Sequence, residues 1–177
     1  MTIFHTVLLF VALQRATELL LARANSASLL RQGAVEIDHD GYKYIVILHA
    51  AWLAALLATV PPATLPNWPL LILFGMLQVA RIWVIASLGR RWTTRLIVLP
   101  GAPPVARGPY RWLRHPNYLI VAAELAILPL AFAAVAIAVL FSACNGWLLF
   151  RRIRLEDAAL GCDSYHIRET LPRRNLL

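Results

Sequence analysis

The apolar block at residues 117–150 carries a single charged side chain, Glu124, and is too long for one bilayer crossing. As one straight helix it would measure roughly 50 Å at about 1.5 Å per residue, against a hydrocarbon core of ~30 Å. Pro129 sits inside it, where a helix kinks or breaks. The block therefore predicts two short helices, near 117–128 and 131–150. Three further apolar blocks, 3–22, 44–60 and 69–88, are each about one crossing long. With 60% hydrophobic residues, 15% charged and a mean hydropathy of +0.65, the chain is not an ordinary soluble domain. The expected fold is all-α and integral to the membrane. It has five transmembrane helices, the last two a short helical hairpin, in a single domain spanning 1–177.

Charge sets the expected orientation. Most of the 17 Lys and Arg residues lie after Leu88, clustered at 90–114 and from 151 onward. These clusters flank both ends of the 117–150 block, so both ends are expected on the cytoplasmic side. A hairpin satisfies that; a single span does not. The uncharged segment 61–68 reads as an outer loop. The segment 23–43 carries Arg23, Arg31 and Lys43 and reads as inner, diluted by Glu36, Asp38 and Asp40. The N-terminus is then outside and the C-terminus cytoplasmic, in a bacterial-type plasma membrane. Topology and anionic inner-leaflet lipids account for the net charge of +8, so no nucleic-acid partner is expected. The start lacks a basic leader region, and Arg15 and Glu18 interrupt the first apolar run, so no cleavable leader is expected.

Polar groups inside the apolar blocks are costly unless partnered. Arg15 and Glu18, three apart, share a helix face and are expected to neutralise each other. Gln78 and Arg81 are also three apart; Arg81 either snorkels to the interface or lines a polar cavity. His49, alone among apolar neighbours, reads as a hydrogen-bonded core residue. Glu124 lies seven residues after Asn117, on nearly the same helix face. It serves either as a packing ion pair, with Arg81 or a loop arginine, or as a wall of a ligand cavity with a candidate catalytic carboxylate.

Just before the long block stands Gly108-Pro-Tyr-Arg-Trp-Leu-Arg-His-Pro-Asn-Tyr118, which packs two arginines, a histidine and two tyrosines into a turn-rich stretch. Pro109 fixes a turn after Gly108. Pro116 disfavours helix at His115 and suits the first turn of the helix that follows. The amides and positive dipole end of that helix then face the rim, a place that suits a carboxylate. Alternatively the stretch is an interfacial belt of Trp, Tyr and Arg. At the other end of the block, Arg152-Ile-Arg-Leu-Glu156-Asp157 sets Arg152 and Glu156 one turn apart on one face. That pair reads either as a solvated ion pair or as part of the same site.

The order Gly-Pro-Tyr…Arg-His-Pro-x-Tyr, followed by Arg-x-x-x-Glu, resembles the isoprenylcysteine carboxyl methyltransferase family, and especially its short bacterial branch acting on alkylpyrones or alkylresorcinols. The resemblance covers roughly 76–165, including Gly161 and Tyr165 of a weaker tail pattern. It implies a cytoplasmic pocket for S-adenosyl-L-methionine (SAM), with Val105, Tyr110, His115, Pro116, Asn117, Tyr118 and Glu156 as cofactor-binding residues. It also implies Arg152 as the residue that holds the acceptor. Two departures stand out. Arg95 falls where the family often has glutamine, and the chain lacks the extra N-terminal spans of eukaryotic members.

No Gly-x-Gly-x-x-Gly, zinc-like histidine spacing or Gly-x-Ser-x-Gly turn is present in the sequence. Cys144 and Cys162 imply neither a disulfide framework nor a metal site. The expected function is methyl transfer from SAM to an oxygen of a lipophilic, membrane-embedded acceptor, with membrane lipids as surroundings. Arg152 orients that oxygen and Glu124 is the candidate base within the membrane. A membrane enone- or sterol-type reductase using NADPH shares a similar Arg-His-Pro-x-Tyr core and is the alternative enzyme. A non-catalytic membrane scaffold is the alternative of a different class.

Overall fold

A computed structural model describes the backbone of residues 2–103 and 105–170, and side chains within that range up to residue 159. Five helices carry the fold: α1 (Ile3–Arg31), α2 (Gly41–Thr59), α3 (Trp68–Leu88), α4 (Pro116–Ala131) and α5 (Val135–Thr170). Four of them, α1, α2, α3 and α5, are long and apolar enough to cross a membrane, whereas α4 has only 16 residues. Large apolar side chains such as Phe10, Leu20, Ile47, Leu57, Ile72, Val79 and Val139 face outward around the bundle. In water that surface would aggregate; in a bilayer it is the lipid-facing wall.

The long apolar block does fold back on itself, but not at Pro129. That proline stays within the last turn of α4, where its missing N–H removes only one late helical bond. The reversal falls at 132–134. Ala134 N donates to Pro129 O (2.9 Å) and Ala133 N to Leu130 O (3.2 Å), with Ala133 in the left-handed region at φ 58°. These are the paired bonds of a Schellman stop, made here without glycine. Helix α1 also runs farther than the block 3–22 that seeds it. Its extension stops at Gly33 (φ 88°) through the same pair of bonds, Ala34 N to Leu29 O and Gly33 N to Leu30 O.

Contacts between loops sort the connections into two ends. At one end, β1 (Val35–Glu36) in the α1–α2 loop pairs antiparallel with β2 (Ile97–Val98) in the α3–α4 loop. Arg151 on α5 reaches Asp38 of the first loop (3.1 Å). Asn25 near the end of α1 donates to the carbonyls of Gly89 (3.2 Å) and Trp92 (2.8 Å). At the other end, Asn67 N in the α2–α3 loop donates to Ala131 O at the tip of α4 (2.7 Å). Asn67 also caps α3 by accepting from Leu70 N (3.2 Å). The basic clusters around 90–114 and 151–154 therefore share one end of the bundle. Between the two ends the apolar core closes around Phe4, Val11, Trp52, Leu56, Phe74, Leu125 and Leu128.

Candidate functional site

Two separate polar centres emerge. The first lies within the bundle. Arg81, 5% exposed, places Nε 2.5 Å from Glu18 Oε1 and Nη2 2.6 Å from Oε2, with Nη1 2.9 Å from Glu124 Oε2. Arg15 donates to Glu18 (3.0 Å) and to Glu124 (2.5 Å). Gln78 Nε2 donates to Glu124 Oε1 (2.9 Å) and Gln14 Nε2 to Glu18 Oε1 (3.0 Å). Arg81 thus does not snorkel. Two carboxylates attract it more strongly than the distant interface, since a guanidinium forked onto a carboxylate needs no water. The pairing of Arg15 with Glu18 is present, but only as one edge of a quartet that joins α1, α3 and α4. His49 satisfies itself locally, its Nδ1 donating to Ile45 O (2.8 Å).

The second centre lies at the basic end, where the start of α4 meets α5. Pro116 opens α4, leaving His115 as an irregular N-cap residue (φ −128°, ψ 58°). Tyr118 then stands in the first turn, facing α5 across the hairpin. Its Oη donates to Glu156 Oε2 (2.6 Å) and accepts from Arg152 Nε (2.9 Å). The Arg152 guanidinium also lies over the Tyr118 ring, 5.7 Å from its centroid, and the His115 ring stacks against the same tyrosine at 5.4 Å and 12°. His115 Nδ1 is 3.6 Å from Glu156, and Nε2 is 3.4 Å from Asp157 without the alignment of a hydrogen bond. Asn117 Oδ1 is likewise buried with no partner among the described residues. Tyr110 is half-buried. Burial, followed by the negative charge of Glu156, pushes its phenol well above the usual tyrosine range, so it remains a neutral donor.

Gly108 sets how close this stretch comes to α3. Its φ is 53°, and an added Cβ would overlap Ser87 Oγ and lie 3.1 Å from Trp83 Nε1. Only glycine meets both demands. Beside it, Val105 lines a cavity of about 400 Å³ together with Ser87, Arg90, Arg91, Pro103 and Arg107.

His115, Tyr118, Arg152 and Glu156 therefore come together, with Pro116 and Asn117 in the same turn. Glu124 does not join them and belongs to the quartet; Val105 lines the separate cavity. Arg95, standing at the family's glutamine position, pairs with Glu36 (3.0 Å) across the β1–β2 contact. The tail positions Gly161 and Tyr165 lie outside the residues whose side chains are described. Asp157, beside His115, and Asn25, which holds the α3–α4 connection, carry no motif of their own. Only their place on the buried or site-facing side of a long helix could have marked them.

The model of the isoprenylcysteine carboxyl methyltransferase (ICMT) family matches residues 70–161. The uncharacterized protein YpbQ of Bacillus subtilis (strain 168) is 38% identical over 164 residues, covering 89% of this chain and 96% of that protein. No solved structure matches.

Proposed function

Because the chain belongs to the isoprenylcysteine carboxyl methyltransferase family, we propose that it uses SAM to methylate an oxygen of a lipophilic acceptor dissolved in the membrane. The observation that carries this reading is the chain Arg152 Nε–Tyr118 Oη–Glu156 at the mouth of the hairpin. Its orientation is that of the charge pattern: basic end cytoplasmic, N-terminus outside.

The residues present fit the cofactor. Two buried polar atoms, His115 Nε2 and Asn117 Oδ1, lack partners among the described residues. An unpartnered buried polar atom costs about 1–3 kcal/mol. A ligand with both donors and acceptors relieves that cost. Glu156 supplies a carboxylate for a cationic or hydroxyl group, and Tyr110 an aromatic face. When bound, the cofactor supplies a methyl group already activated by its sulfonium, so transfer needs alignment and a deprotonated acceptor.

Arg152 supplies the alignment. Its Nε is engaged by Tyr118, which fixes the plane of the guanidinium and leaves the Nη groups to receive an acceptor oxyanion bidentately. Tyr118, braced between Arg152 and Glu156, holds the acceptor and cofactor sides in register. Glu124 is assigned to the scaffold, since its carboxylate already accepts from Arg15, Arg81 and Gln78. With no further base proposed, the acceptor is one that ionises unaided, a carboxylic acid or an acidic enol. Titration calorimetry of the detergent-purified protein with S-adenosylhomocysteine and NADPH in parallel tests the reading. Binding of the first alone is expected; binding of NADPH alone, or of neither, sinks it.

A further inference from the structure

The cavity beside Val105 has a charge that the methyl-transfer reading does not use. Three of its lining residues, Arg90, Arg91 and Arg107, are arginines, and no carboxylate lines it. Among the described residues none of the three forms an ion pair. Gathering three guanidinium groups around one space is electrostatically unfavourable until an anion fills it. The site is also preformed. Arg91 Nη1 donates to Pro103 O (2.7 Å), tying the end of α3 to the opposite wall. Prolines stiffen that wall, and Gly108 seats it against Ser87 and Trp83. SAM carries a net positive charge at neutral pH, so this surround repels it.

We infer that the cavity binds a phosphate ester, with Arg90, Arg91 and Arg107 as its ligands. Guanidinium forks match phosphate oxygens. The surroundings favour a phosphate carried by an anionic membrane lipid. Ser87 leads directly along α3 to Ile82, Trp83 and Val79, which are 63%, 49% and 69% exposed and offer a lane for acyl chains. Trp83 packs against exposed Trp112 at 6.1 Å, the pairing of an aromatic belt at headgroup depth. Basic pockets between helix ends at the cytoplasmic face are where anionic headgroups dock. The inference is independent of the methyl-transfer reading, because the cavity shares no lining residue with the Tyr118 cluster.

The test measures lipid binding by native mass spectrometry on the intact detergent-solubilised chain, with phosphatidylglycerol, phosphatidylcholine, sn-glycerol 3-phosphate and inorganic phosphate as probes. Arg90→Gln/Arg107→Gln spares the structural bond of Arg91. A control, Arg23→Gln/Arg154→Gln, removes the same charge from exposed positions elsewhere. Phosphatidylglycerol is expected to bind the wild-type chain, and the Arg90/Arg107 variant to lose roughly thirtyfold in affinity. The control should change less than about threefold. Equal loss in both variants would reduce the effect to net charge and overturn the site. One-for-one displacement of the lipid by S-adenosylhomocysteine would hand the cavity to the cofactor and overturn it as well. If glycerol phosphate alone binds as tightly and displaces the lipid, the phosphate site stands with a soluble ester as its ligand.

Discussion

The quartet inside the bundle and the cluster at its basic end use the same residue types, arginine and glutamate, to opposite effect. In the quartet each charge meets its opposite. Glu18 and Glu124 accept between them from Arg15, Arg81, Gln14 and Gln78. At the rim, Arg152 and Glu156 do not touch each other in the contacts described; Tyr118 stands between them, and His115 and Asn117 keep buried polar atoms unpaired. A closed network of charges in hydrocarbon can only hold helices together, because admitting a ligand would strand a charge. An open one at the water boundary can exchange its partners. Saturation, more than residue type, separates scaffold from site.

The sharpest way to break this comparison is to open the closed network. Glu124→Ala leaves Arg15 and Arg81 buried with one carboxylate between them, a loss of about 3–5 kcal/mol. Thermal unfolding in detergent should show it; a variant as stable as wild type would mean that the quartet holds nothing. Next comes Arg152→Lys. An ammonium cannot both brace Tyr118 and clamp an oxyanion, so turnover on a lipid carboxylate or hydroxypyrone should fall by about a hundredfold. S-adenosylhomocysteine affinity should stay within a few fold, and stability should barely move. A fall in unfolding temperature comparable to that of Glu124→Ala would place Arg152 with the scaffold.

Glu156→Gln tests the cofactor side. Losing one charge-assisted hydrogen bond should cost about 1.5–3 kcal/mol of S-adenosylhomocysteine binding, read by calorimetry. Undiminished binding in the folded variant would leave Glu156 as a mere anchor for Tyr118. The smallest expected effect concerns the hairpin joining the two centres, where Ala133 holds a left-handed φ of 58°. Ala133→Gly relieves that strain and should stabilise the protein by about 1 kcal/mol, offset in part by chain entropy. Destabilisation would show that the Ala133 methyl contributes packing worth more than its strain.

Much of this is legible in residue order. The overlong block flanked by arginines predicts the hairpin, and the Arg-His-Pro-Asn-Tyr and Arg-x-x-x-Glu segments predict that His115, Tyr118, Arg152 and Glu156 meet. What escapes depends on partners far apart in the chain. Arg81 reads equally as a snorkelling residue, because the carboxylates that hold it lie on α1 and α4. The stop at 132–134 escapes because alanine rarely adopts a left-handed φ, so Pro129 draws attention to the wrong residues. The β1–β2 contact involves two residues per strand, too few to leave a periodic pattern.

The short α4 has a consequence for the surrounding bilayer. It has only 16 residues. At the rise of an α-helix these span about 24 Å, less than a hydrocarbon slab of ~30 Å. The Asn67 amide follows its tip inward to the Ala131 carbonyl, drawing the α2–α3 loop toward the same depth. Lipids along this side of the bundle must therefore compress to meet it, at a cost that grows with acyl-chain length. The thickness of the host membrane thus becomes a tuning variable: short-chain bilayers fit the α4 side, while long-chain ones press on the hairpin that brings Tyr118 to Arg152.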